Sequence, residues 1–105
     1  MKLGMATFRY EFEWDPHKAK ANFNKHGVHF ERAAQIFRDP LALTIPDEQH
    51  SENEVRWITL GRDATAKYVL VVHTFLQLKA EHGRIRLISA RQPTRTEVLA
   101  YEEER

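Results

Sequence analysis

Lys67-Tyr68-Val69-Leu70-Val71-Val72-His73-Thr74-Phe75 is the most apolar run of the chain. It is rich in β-branched residues, which predicts a central strand of a sheet. Two strands are predicted beside it. Glu54–Leu60 carries a mixed pattern around Trp57 and Ile58, and Arg84–Ala90 sets Arg84 and Arg86 on one face and Ile85 and Leu87 on the other. Gly61–Ala66 and Leu76–Gly83 read as the hairpin connections, with His82-Gly83 marking the turn into the last strand. Upstream, Leu41–Ile45 is a short strand and Pro46–Ser51 a polar loop.

The flanks add one strand and three helices. Phe8, Tyr10, Phe12 and Trp14 alternate with Arg9, Glu11 and Glu13, the period of a half-buried strand. Asp15 is placed to cap a helix over Pro16–His26, with Pro16 at its first position and Gly27 as its stop. Ala19, Asn22, Phe23 and His26 share a face of it. A second helix over Phe30–Phe37 carries Phe30, Ala33, Ala34 and Phe37 on one stripe and ends at Asp39-Pro40. The last helix spans about Pro93 to Glu104. The order βααββββα predicts an α+β domain, a largely antiparallel sheet with helices packed on one face.

The chain has 105 residues, the size of one domain, and no cysteine. That excludes a disulfide scaffold, a thiol nucleophile and cysteine-bound zinc or iron–sulfur clusters. No apolar run has the length of a membrane span, and the N-terminus lacks the apolar block of a secretory signal, so a cytoplasmic protein with no membrane partner is expected. Net charge is +1. It is unevenly placed: residues 55–96 sum to +6 and the remainder to −5. Six of the eight basic residues in that window are arginine, which forks onto phosphate. A polyanion-binding face and the solvated edges of strands are both consistent with it.

The six histidines form no HExxH or other helical pair, so no metal site and no cofactor are expected. His73 follows Val69 and Val71 on one face of the central strand. It is either a packed core histidine or a proton-transfer group. Glu54 is either half of a surface pair with Arg56 or Lys67, or a general base. There is no P-loop and no GxGxxG. The inventory suits RNA cleavage without metal. A 2′-hydroxyl loses a proton, cations stabilise the pentacoordinate phosphate, and the 5′-oxygen gains a proton.

Several segments together resemble one family. They are Phe12-Glu13-Trp14-Asp15-Pro16, Asn22-Phe23-Asn24-Lys25-His26-Gly27-Val28 with Phe30-Glu31, Phe37-Arg38-Asp39-Pro40, Arg56-Trp57-Ile58-Thr59-Leu60-Gly61, Val72-His73-Thr74, Arg84–Arg91, and Thr94-Arg95-x-Glu97. In this order and spacing, over about Phe12–Tyr101, they look like the BrnT toxins. His29 stands where members often carry serine, which bears on the capping of the second helix. The resemblance implies a single RelE-like domain over residues 1–105, with residues 1–7 as an N-terminal extension. It implies the toxin half of a type II toxin–antitoxin pair, an endoribonuclease that cleaves RNA and arrests translation. The implied partner is a BrnA-type antitoxin with a ribbon-helix-helix domain, and operator DNA is met only through that complex. Arg91 is the first choice for a catalytic residue, with His73 as proton donor and Glu54 as base. Lys25, Arg62, Arg84, Arg86 and Arg95 are the expected RNA contacts. The alternative is a non-catalytic corepressor module that stabilises a DNA-binding antitoxin.

Overall fold

The computed structural model describes residues 8–50 and 53–103. The expected extension over residues 1–7 lies outside them, as do Ser51 and Glu104. Along the chain come β1 (Arg9–Glu13), α1 (Pro16–His26), α2 (Phe30–Ala34), a 3₁₀ turn (Gln35–Arg38), β2 (Leu43–Pro46), a second 3₁₀ turn (Glu48–His50), β3 (Trp57–Arg62), β4 (Tyr68–His73), β5 (Leu76–Lys79), β6 (His82–Arg91) and α3 (Arg95–Glu103). The sheet runs β1-β6-β4-β3-β2, with β5 beside β6. The apolar run does form an inner strand, β4.

Helix α1 starts and stops as its end residues dictate. The Asp15 carboxylate accepts the His17 amide at 2.8 Å. Gly27 takes the left-handed conformation at φ 71°, and its amide closes on the Phe23 carbonyl. Asn22, on the inner face of α1, does the work of a missing strand. β1 pairs with β6 only as far as Glu13–Arg86. Beyond that, the Asn22 side chain donates to the Ala90 carbonyl at 2.9 Å and accepts the Ala90 amide at 3.0 Å. It also donates to the Val28 carbonyl, so a buried amide is satisfied at both ends.

Four details differ from the pattern read in the sequence. β1 pairs with β6 in parallel, the one parallel ladder among the described strands. The segment Leu76–Gly83 is not a plain connection, because β5 forms a hairpin with the start of β6; its exposed residues carry no burial signal. The predicted second helix breaks after Ala34 into a 3₁₀ turn, which lets Ile36 enter the core while Phe37 reaches Tyr10 and Phe12. The helices do not share one face. α2 buries Phe30 and Ala33 against Val69, Val71, Ile85 and Leu87, whereas Tyr101 of α3 packs on Leu60 and Leu70 from the other side. Each fully buried aliphatic side chain contributes about 1.5–3 kcal/mol, so the first of these clusters is the main core.

Candidate functional site

The pairing of β6 sorts its side chains between the two faces. Ile85 lies level with Phe12, and Leu87 with His73, on the face that α1 and α2 cover. Arg84 and Arg86 lie level with Glu11 and Glu13 on the opposite face. Simple alternation from Arg86 would carry Arg91 to the helix side. It does not, because the register shifts between Val72 and His73: Ser89 pairs with Val72 and Leu87 with His73, leaving Ile88 as an extra residue. This bulge returns Ala90 to the core and turns Arg91, level with Leu70, onto the face of Arg84 and Arg86. Three of the predicted arginines therefore share one face.

Each of the three is tied to a carboxylate from elsewhere in the chain. Arg84 Nη2 lies 3.3 Å from Glu11, which also holds His82 Nε2 at 2.7 Å. Arg86 Nη2 donates to both oxygens of Glu54, at 2.5 and 2.6 Å, and Arg56 stands 3.7 Å from the same carboxylate. Arg91 forks onto Glu97 with two bonds of 2.9 Å. That fork holds the Glu97 carboxyl below the usual range and raises the Arg91 guanidinium above its own. Glu97 also accepts the Thr94 amide at 2.8 Å, while Thr94 Oγ1 accepts the Glu97 amide, a capping box that opens α3. The sequence signal was present in the Thr-x-x-Glu spacing.

The other predicted contacts are dispersed. Arg62 donates to the Tyr68 hydroxyl at 2.8 Å, lies over the Tyr68 and Tyr101 rings, and is raised chiefly by the Tyr68 bond. Its backbone amide is held by Asp39, which also accepts from Leu41 and Tyr101. Burial pushes the Asp39 carboxyl up, but these donors and the Arg62 charge together hold it below its ordinary value. Arg95 is exposed at the start of α3. Lys25 is exposed in the last turn of α1, beside a hollow of about 230 Å³ shared with Lys18, His26 and Ser89. His29, lacking the hydroxyl, gives α2 no side-chain cap, and its ring stacks on Phe23 at 3.9 Å.

His73 is not among the arginines. It lies on the helix side of β4 and is 3% exposed. Its Nδ1 donates to the Thr74 carbonyl at 3.0 Å, which makes Nε2 the acceptor of the Thr59 hydroxyl at 2.7 Å. Thr59 in turn bonds Thr44 at 2.8 Å, and the Phe37 ring meets the imidazole edge-on. Burial lowers the pKa of the ring and so favours its neutral form. Both nitrogens are occupied, and the sheet stands between His73 and Arg84, Arg86, Arg91 and Glu54.

Comparison with known proteins bears on this arrangement. Residues 14–97 match the family model described as "Ribonuclease toxin, BrnT, of type II toxin-antitoxin system". The fold is similar to the crystal structure of the Brucella abortus ribonuclease toxin BrnT, with 20% sequence identity, a TM-score of 0.56, and coverage of 83% of this chain and 99% of that one. No match was found among curated proteins.

Proposed function

Because the chain belongs to the BrnT family of ribonuclease toxins of type II toxin–antitoxin systems, we propose that it is an endoribonuclease whose substrate lies on the arginine face of β6. Family membership implies an antitoxin partner. The observation that carries the reading is the bulge at Ile88, which turns Arg91 onto the same face of β6 as Arg84 and Arg86, the side α1 and α2 leave uncovered. Guanidinium groups there neutralise the charge that builds on a phosphate in its pentacoordinate state, the largest single contribution in such reactions. The reaction needs no metal in this reading, since the cations are the protein's own.

The carboxylates do not prevent binding. An exposed ion pair is worth about 0–1 kcal/mol, less than a forked contact to a phosphate together with its released counterions. RNA arriving at Arg86 displaces Glu54 from it. The freed carboxylate is then beside the bound strand, where it can take the 2′-hydroxyl proton, and Arg91 steadies the phosphate. His73 lies behind the sheet, so the 5′-oxygen takes its proton from solvent on the exposed arginine face as its bond to phosphorus breaks and the 2′-oxygen bond forms. The cleaved RNA arrests translation in the cytoplasm. A BrnA-type ribbon-helix-helix antitoxin neutralises the toxin and carries the complex to operator DNA, its acidic or apolar segment covering the Arg84–Arg95 region.

The test is cleavage of an RNA transcript by the purified, partner-free protein in chelator. Arg86→Ala and Glu54→Gln are each expected to slow cleavage by about 10²-fold or more with an unchanged unfolding midpoint, and to relieve growth arrest on expression. Wild-type rates in both variants would refute the site. Intact RNA at high wild-type concentration, with harmless expression, would favour the corepressor module; the carboxylate held by every arginine of the trio is the observation on its side.

A further inference from the structure

The hollow beside the β6 bulge is lined by two lysines, a histidine and a serine among neutral neighbours, and by no carboxylate. Lys18, Lys25 and His26 reach it from one face of α1, at the i, i+7, i+8 spacing that stacks side chains along a helix. Ser89 closes it from β6. Ser89 lies level with Val72 and so on the same face as Arg91, two residues on and about 6.5–7 Å along the strand. This is also where β1 has ended, so the edge of β6 is bordered by α1 rather than by a strand. The arginine face and the hollow are thus continuous across the β6 edge. Their chemistry differs: every arginine of the trio shares its charge with a carboxylate, whereas the two lysines bring charge to a lining that holds no acid.

We propose that Lys18, Lys25, His26 and Ser89 form a second phosphate subsite, which takes a backbone phosphate of an RNA strand already lying on the arginine face. Lysine suits it as a compact point charge on a flexible stem, and His26 and Ser89 supply directed hydrogen-bond donors. This rests on the reading that RNA binds that face. The subsite sets how far the strand extends and anchors it on the side of the scissile bond away from α3.

The experiment uses the full chain and a single-stranded RNA oligonucleotide with 2′-O-methyl groups, which binds and is not cut. Binding is followed by fluorescence anisotropy over a series of salt concentrations. Lys18→Gln and Lys25→Gln should each make the plot of log affinity against log salt shallower by about 0.7, the value for one released counterion on a single strand. Ser89→Glu should abolish the contribution of both. Lys20→Gln, also in α1 but outside the hollow, should leave the slope unchanged. If Arg84→Gln and Arg86→Gln flatten the slope while Lys18→Gln and Lys25→Gln match Lys20→Gln, the subsite is refuted and the arginine face stands. If only the lysine variants flatten it, the hollow holds an RNA phosphate by itself, and both the arginine face and the hollow's role as a second subsite fail. Inorganic phosphate separates the two sources of the anion: if it competes with RNA in the wild type but not in the double lysine variant, the hollow holds an RNA phosphate, whereas phosphate binding at the lysines that leaves RNA affinity untouched marks a site for the free anion and overturns the RNA assignment.

Discussion

A histidine with both nitrogens bonded behaves unlike one waiting for a substrate. His73 joins a relay from Thr44 through Thr59 to the Thr74 carbonyl, and its work is to satisfy polar groups under the helices. In the unfolded chain the ring takes its proton near pH 6.5; folded, burial holds its pKa lower. The unfolded state therefore binds more protons below that pH. The contribution is intact above 6.5 and is lost as pH falls through 6.5 toward the folded value. Unfolding midpoints in denaturant between about pH 8 and 5 should decline in the wild type and decline less in His73→Gln. His73→Ala should cost about 2–4 kcal/mol by leaving a cavity and an unmatched Thr59, while RNA cleavage per folded molecule persists. Loss of cleavage with unchanged stability would return His73 to the catalytic set.

At the level of elements, the 3₁₀ turn after α2 crosses β3 at close range. A Cβ at Gly61 would stand 3.0 Å from the Ile36 Cβ, 3.2 Å from the Ile36 carbonyl oxygen and 3.3 Å from the Ala42 Cβ. All three positions are fixed by the backbone, so the neighbours have little room to yield. Gly61→Ala is expected to destabilise the fold by about 1–3 kcal/mol, read as a lower thermal midpoint with an unchanged circular dichroism spectrum at low temperature. The next junction is the turn between β3 and β4. There Asp63 takes Arg32 Nε at 2.6 Å, the Thr65 hydroxyl and two amides. Burial opposes its charge, but these donors outweigh it and hold its carboxyl far below the ordinary range.

Across the whole molecule the charges that are separate in sequence come together in space. The +6 window meets the acidic remainder through Glu11, Glu54 and Glu97, which lie against Arg84, Arg86 and Arg91 respectively, with Arg56 also near Glu54. The arginine face is therefore nearly neutral when empty and presents its charge on exchange with a polyanion. Removing the screen should strengthen binding. Glu11→Gln with Glu13→Gln is expected to tighten the 2′-O-methyl RNA complex by about 2–5-fold at low salt, the worth of one or two exposed pairs, with the difference fading as salt rises. Equal or weaker binding in the double variant would show that β1 borders no RNA site.

Much of the architecture is legible from neighbours in the chain. The β-branched run gave an inner strand, Asp15 and Gly27 bounded α1, and alternation put Arg84 and Arg86 together, because period and capping depend on residues within a turn or two of one another. The decisive placements are of another kind. Asn22 meets Ala90 across 68 positions, and Arg84 meets Glu11 across 73. The extra residue at Ile88 leaves no local mark, yet it alone moves Arg91 across the sheet, and the same register holds His73 behind it. Hydrophobic pattern states which residues must be covered; which strand covers them, and hence which polar groups are left facing water together, follows from packing the entire sheet at once.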